Sequence, residues 1–202
     1  CAISPDGTTI AFTYKGDIYT VPVGGGRAMQ LTTNPAHDTE PVWSPDSKRI
    51  AFASDRMGSL DVFIVEKDGG IPVRLTTYSG SEMPVAFRDK EHVLFLSNIR
   101  PSAEDVQFPS SIFQQVYEVS MKGGRPKMCS SMPMEDISVS HDGKQWLYHD
   151  KKGYEDAMRK HHTSSITRDI WLYQPETKIY RRLTSFKGED RTPVWAPDGK
   201  SF

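Results

Sequence analysis

A short turn, Ser-Pro-Asp followed by an apolar run, returns again and again along this chain and limits what the chain can fold into. The fullest copy is Pro41-Val42-Trp43-Ser44-Pro45-Asp46-Ser47-Lys48-Arg49-Ile50-Ala51-Phe52. Pro45 has the backbone angle that the first corner of a type I turn requires, and Asp46 at the second corner can accept backbone N–H bonds. Val42 and Trp43 enter the turn and Ile50, Ala51 and Phe52 leave it, so the unit reads as a β-hairpin. Worn copies stand at Ser4-Pro5-Asp6-Gly7, Phe87-Arg88-Asp89-Lys90, Ser140-His141-Asp142-Gly143 and Ala196-Pro197-Asp198-Gly199. The spacing of their aspartates widens steadily from the Asp6 to Asp46 interval to the Asp142 to Asp198 interval.

Other landmarks keep phase with the turn. An apolar segment follows each complete copy: Asp17-Ile18-Tyr19, Asp61-Val62-Phe63, Gln115-Val116-Tyr117 and Asp169-Ile170-Trp171. Glycine pairs come next at Gly24-Gly25, Gly69-Gly70 and Gly123-Gly124, with Pro175-Glu176-Thr177 in the fourth place. Each period closes on Leu31-Thr32, Leu75-Thr76, a degraded Met128-Cys129, or Leu183-Thr184. The repeats therefore run over about 1–32, 33–76, 77–130 and 131–184, with a partial copy at 185–202.

Each period holds four short strands, placed in the second at 41–44 (A), 49–54 (B), 61–66 (C) and 72–76 (D). That pattern predicts an all-β protein, a β-propeller with four near-complete four-stranded blades and the start of a fifth, as one propeller fragment over 1–202. Continuous apolar runs such as Val62-Phe63-Ile64-Val65 fit strands covered on both faces, which a blade alone cannot provide. The chain enters at strand A and stops at the start of a strand B, so the ring is expected to be incomplete here and to continue to six or seven blades.

Composition removes several classes of function. A formal net charge of −1 and a pI near 6.7 give no electrostatic footprint for nucleic acid. No apolar run reaches membrane-spanning length. Cys1 and Cys129 have no zinc-ligand spacing and build no disulfide framework. There is no G-x-S-x-G, H-E-x-x-H or phosphate-binding loop, and Gly24-Gly25-Gly26 lies between strands C and D as hairpin glycine. His161-His162 beside Ser164 and Ser165 lacks a positioned acid. No catalytic residue, metal or cofactor is expected. The aspartates of the turns, Asp6, Asp46, Asp142 and Asp198, are read as turn caps, and those of strand C, Asp17, Asp61 and Asp169, as ties between neighbouring strands through backbone N–H groups. Trp43, Trp195 and Phe87 share one position of strand A and are read as packing groups.

The repeat resembles the WD40-like β-propeller repeat of the TolB and tricorn-protease families, whose consensus runs P-x-W-S-P-D-G-K-x-I-A-F, then D-I-Y, then L-T. The stretch Lys152-Gly153-Tyr154-Glu155-Asp156, with Arg159-Lys160-His161-His162 and the run to Trp171, is similar to an insert in tricorn-like S41 peptidases of Bacteroidetes. This resemblance implies the N-terminal propeller region of a serine protease, non-catalytic itself, gating or docking peptide or protein substrates. Further blades, a PDZ module and a tail-specific protease domain would belong to the same chain, in an exported, periplasmic protein. A TolB-like periplasmic interaction scaffold and the propeller of a prolyl-oligopeptidase-like enzyme are the alternatives.

Strand phase places the D-to-A and B-to-C connections on one rim and the tight turns on the other. The first rim carries the long segments 98–114 and 150–167 and the polar runs 34–40, 78–82 and 187–192. Long loops on a rigid frame are where binding usually resides. The candidate binding rim is therefore His37, Asp38, Glu40, Glu82, Arg100, Tyr154, Arg159, His161, His162, Glu189, Asp190 and Arg191.

Overall fold

The recurring turn closes through its own side chains. Ser47 N–H returns to Ser44 O at 2.9 Å, Ser44 Oγ donates to Asp46 Oδ1 at 2.7 Å, and Asp46 Oδ1 accepts Lys48 N–H at 3.2 Å. Ser44 Oγ then takes Arg49 N–H at 2.9 Å, which starts the next strand. The same bonds recur around Ser4 and Asp6 and around Ser140 and Asp142. The serine hydroxyls hold these carboxyls below the usual range, Asp6 at about 2, with Asp46 and Asp142 lowered in the same direction. One corner needs a left-handed residue. Gly7, Gly143 and Gly199 fill it at φ 70°, φ 73° and φ 65°, whereas Ser47 adopts φ 57°.

The computed structural model describes residues 1–99, 114–150, 167–196 and 198–202. Among them every regular element is a β-strand, and the strands form four four-stranded antiparallel sheets in chain order. Sheet one is β1 (Ala2–Ile3), β2 (Thr9–Tyr14), β3 (Asp17–Pro22) and β4 (Met29–Gln30). Sheet two is β5 (Asp38–Trp43), β6 (Arg49–Ser54), β7 (Asp61–Glu66) and β8 (Val73–Arg74). Sheet three is β9 (Glu82–Phe87), β10 (His92–Ser97), β11 (Gln115–Ser120) and β12 (Lys127–Ser130). Sheet four is β13 (Met134–Val139), β14 (Trp146–Asp150), β15 (Ile170–Gln174) and β16 (Ile179–Arg182). The chain forms two compact units, Cys1–Ile99 with Val116–Met128, and Arg100–Gln115 with Cys129–Phe202.

Strands B and C of the second repeat have the expected limits. Strand A does not: β5 starts at Asp38 rather than 41, because a bulge lets pairing resume beyond Pro41. Its register shifts between Thr39 and Val42, and Glu40 at φ 51° is the extra residue. Asp136 at φ 49° and Thr192 at φ 52° repeat that conformation in the corresponding segments. The expected strand D shrinks to β8, since Pro72 has no N–H to give and the Val62 N–H goes to the Thr76 hydroxyl at 2.9 Å.

That last bond explains the Leu-Thr landmark. Thr32, Thr76 and Thr184 each accept the N–H of the residue after the strand C position, Ile18, Val62 and Ile170, at 2.9, 2.9 and 3.0 Å. The strand C aspartates therefore do not take these backbone N–H groups, because the threonines occupy the donors. The carboxylates bind side chains of strand D instead: Asp17 takes Gln30 Nε2 at 2.9 Å, Asp61 takes Arg74 Nη2 at 2.8 Å and Asp169 takes Arg182 Nη2 at 2.7 Å.

In the first unit the double-faced burial expected of the central strands is present. Ile50, Phe52, Phe63 and Val65 pack with Ala11, Ile18 and Leu31 of sheet one, while Ala51, Val62 and Ile64 pack with Phe87, Val93, Phe95 and Tyr117 of sheet three. Alternate side chains of one strand thus serve two different cores. Strand A is stitched to the preceding sheet as well. Trp43 Nε1 donates to Ala2 O at 3.1 Å, and in the second unit Trp195 Nε1 donates to Ser138 O at 3.1 Å. Phe87 lies opposite Val93 as Trp43 lies opposite Ile50, so the aromatic rung recurs without its donor.

Two substitutions test these roles by denaturant unfolding. Trp43→Phe is expected to cost about 1 kcal/mol, the net value of a hydrogen bond whose removal strands a carbonyl. Ser47→Gly is expected to stay within about 0.5 kcal/mol of wild type, because relief of left-handed strain offsets the loss of a side-chain bond. The bond given up is the one from Asp6 N–H to Ser47 Oγ at 3.1 Å.

Candidate functional site

The end of the first unit that carries the B-to-C and D-to-A connections is built on two buried acids. Asp38 and Glu82 open β5 and β9, and each is tied to the preceding sheet by its backbone. Asp38 N–H donates to Gly16 O and Glu82 N–H to Leu60 O, both at 2.7 Å. In both cases the carbonyl belongs to the residue just before the first residue of strand C, Asp17 or Asp61.

The two carboxyl groups meet different surroundings. Asp38, 0% exposed, receives Arg56 Nη2 on both oxygens at 2.9 Å, and Arg56 Nε donates to Ser54 Oγ at 2.8 Å. The guanidinium lies 4.5 Å from the centre of the Phe63 ring. Charge, hydrogen bonds and an aromatic face all hold it. Glu82, also 0% exposed, has no such cation. Its Oε2 accepts Tyr78 N–H at 3.3 Å and Oε1 has no hydrogen-bond partner. Opposite it in the ladder stands Ser97, whose buried Oγ is likewise unpartnered. Burial, reinforced by the Asp61 charge, pushes the Glu82 carboxyl up to about 7, against the pull of Thr76, Tyr78 and Arg74.

Around these acids the surface is polar and aromatic. His37 is exposed and its N–H donates to Asp55 Oδ1 at 2.7 Å; Glu40 is exposed on the bulge. Tyr14, at the end of β2 with the Lys15 ammonium 5.5 Å from its ring centre, and Met57, on the second B-to-C connection, stand open. Gly16 lies against His37, so the two connections and the segment leading into β5 form one surface.

In the second unit, Asp190 N–H donates to Arg168 O at 3.1 Å, the same tie made by Asp38 and Glu82, and its Oδ2 is buried without a partner. Arg168 Nη1 reaches Glu189 Oε1 at 3.1 Å, and Arg191 pairs with Glu189. Buried His149 links this segment to β13. Thr192 N–H donates to its Nδ1 at 3.3 Å, and its Nε2 lies 3.2 Å from Glu135 Oε2. A ring nitrogen that accepts leaves the proton on the other, so Nε2 is the donor to Glu135.

Of the expected rim residues, His37, Asp38, Glu40 and Glu82 lie in the first unit and Glu189, Asp190 and Arg191 in the second. Arg100, Tyr154, Arg159, His161 and His162 lie outside the described residues. Arg74 stands just before a Leu-Thr landmark, as Gln30 and Arg182 do, whereas Arg56, His149 and Arg168 carry no repeat signal that would single them out from sequence. Among the described residues no three His, Cys, Asp or Glu side chains are grouped to hold a metal ion, and no helix is long and apolar enough to cross a membrane. What this geometry offers chemically is hydrogen bonding, charge and exposed aromatic area.

Four-stranded antiparallel blades, stacked face to face in the first unit with their loops gathered at one end, define a β-propeller of the TolB and tricorn kind. The sequence matches the tricorn protease N-terminal beta propeller domain over residues 2–202, and the chain belongs to that family. It is similar, at 24% identity over 98% of its length, to an uncharacterized peptidase, YuxL, of Bacillus subtilis and to tricorn protease homolog 1 of Streptomyces coelicolor. It spans 27% and 18% of those two proteins. Among solved structures, a putative TolB from Agrobacterium tumefaciens has a TM-score of 0.69 at 21% identity, covering 99% of this chain and 70% of that one. The tricorn protease also has 0.69, at 17% identity, over 93% of this chain and 18% of its own. These structural likenesses establish the fold.

The Asp38 and Arg56 pair has a measurable consequence. Arg56→Ala should destabilise the chain by about 3 kcal/mol in denaturant unfolding, because it leaves a fully buried carboxylate without its cation. The double variant D38L/R56M should recover most of that loss.

Proposed function

We propose that this chain is the non-catalytic propeller region of a tricorn-like S41 serine protease and that its loop-bearing end docks unfolded peptide segments. The observation that carries this reading is the match of the tricorn N-terminal propeller domain along nearly the whole chain. The composition of the surface supports it. Exposed Tyr14, His37 and Met57 offer adaptable apolar and aromatic contact to an extended peptide, and the buried acids beneath keep the frame rigid. The protease domain, its PDZ module and export to the periplasm belong to the proposal.

The likeness to TolB favours a second reading, a periplasmic scaffold that binds folded protein partners and belongs to no enzyme. The two readings part on what is encoded after these residues and on what the chain binds.

Fluorescein-labelled casein is the probe. The 202-residue chain is expected to bind it with micromolar affinity, read by polarisation, and to leave it uncleaved. The triple variant Y14A/H37A/M57A should weaken binding at least fivefold with the unfolding curve unchanged. Cleavage by the chain alone, binding indifferent to the triple variant, or a coding sequence that ends without a protease domain would overturn the protease-docking reading.

A further inference from the structure

The Glu82 carboxyl is placed where three elements of the first unit meet. Its own strand, β9, opens with the N–H to Leu60 O bond that ties sheet three to sheet two. Its Oε2 receives Tyr78 N–H, so the side chain pulls the connection 77–81 inward. Its other oxygen has no hydrogen-bond partner, and neither has the Oγ of Ser97, which stands opposite Glu82 in the ladder. Asp61, Glu82 and Ser97 are each 0% exposed, so the group is shielded from bulk solvent.

The charges around this group are few. β7 brings Asp61 and β8 brings Arg74, which lies 2.8 Å from Asp61 Oδ2. β5 brings Asp38, whose carboxylate is already closed by Arg56, and β6 brings Ser54, which serves the same arginine. β10 brings Ser97 and the connection from β8 brings Thr76 and Tyr78, all without charge. Arg74 pairs with Asp61, so the Glu82 carboxyl has no cation of its own beside a second carboxylate. A proton on Glu82 removes the second negative charge and turns an unpartnered acceptor into a donor, opposite Ser97 in the ladder, whose Oγ also lacks a partner.

We propose that Glu82 is a proton-operated latch that fastens the connection 77–81 to the junction of sheets two and three, closed when the carboxyl is protonated and loosened when it ionises. Opening lets the carboxylate reach water and releases Tyr78 N–H. The latch rests on the geometry of the first unit alone. Its effect on peptide docking rests in addition on the function proposed above, since the connection 77–81 lies at the end that carries the docking surface.

The direction with pH follows from linkage. The closed form holds its proton up to about 7, whereas an open, solvated glutamate releases it near the ordinary value of 4.5. Rising pH therefore favours opening across the interval between those values, by up to tenfold per unit for one proton, and has no further effect above it.

Peptide-resolved hydrogen exchange of the 202-residue chain, corrected for the intrinsic pH dependence of exchange, tests this at pH 5, 6, 7 and 8. In the wild type, protection of residues 77–82 is expected to fall about tenfold or more between pH 5 and 7 and to level off by pH 8. Glu82→Gln, a permanent neutral analogue, should keep high protection throughout, and Asp61→Asn, which removes the competing charge, should move the levelling point to lower pH. Equal protection at all four pH values in the wild type, or an unchanged profile in Glu82→Gln, overturns the latch. Should Glu82→Gln fail to fold, the Asp61→Asn profile decides alone: an unshifted levelling point overturns the proposal. Casein polarisation at pH 5.5 and 7.5 is measured separately. A pH-dependent latch with pH-independent binding retains the latch and removes its connection to docking, while absent binding with an intact latch profile counts only against the docking reading.

Discussion

A blade of this kind has two greasy faces and no means of covering either by itself, so everything depends on how one sheet is joined to the next. One join is a repeated backbone bond. The first residue of an incoming strand A gives its N–H to the carbonyl that precedes strand C of the sheet before it, at Gly16 and Asp38, Leu60 and Glu82, and Arg168 and Asp190. The bond fixes the height of one sheet against its neighbour, and with the height fixed the apolar rows of β6 and β7 fall opposite their two cores. The residue that makes the bond is acidic in all three places, and at Asp38 and Glu82 the whole side chain is carried inside with it.

Burying those acids is expensive, and the protein meets the cost in different ways. Asp38 obtains a guanidinium held by an aromatic ring, which closes both of its carboxylate oxygens. Glu82 obtains neutral donors only and stands close to a second carboxylate, so its ionisation is opposed. The same topological position thus holds an ion pair in one blade and a carboxyl without a cation in the next. What separates them is the side chain arriving from the neighbouring connection, not the strand that carries the acid.

Much of this architecture can be read from the chain, and the part that can is local. The turn closes with bonds between residues at most five apart, so its copies announce themselves, and the apolar strands B and C follow at fixed distance. The acids of the loop-bearing end are recognisable as acids, but their burial is not. A simple alternation from Trp43 backward puts Glu40 and Asp38 on the same face; the left-handed bulge at Glu40 breaks the phase, exposing Glu40 while Asp38 goes in. Their partners are further still from view. Arg56 reaches Asp38 from 18 residues away and Thr192 reaches His149 from 43, across connections whose paths no periodicity encodes.

The irregularities among the copies also have a use. Trp43 and Ile50 are separated by a seven-residue step, Phe87 and Val93 by six, and the third turn replaces the serine network with Asp89 bound to Glu91 N–H, His92 N–H and the His92 ring. Nearly identical blades in one chain invite exchange: a strand could be accepted by the wrong neighbour with little loss of contact. Because the third hairpin is one residue shorter and lacks the indole donor of its predecessor, a misplaced copy leaves a carbonyl bare or a rung out of step. Unequal repeats thus make each strand's own neighbour the better fit, and the wear in the pattern distinguishes one blade from the next.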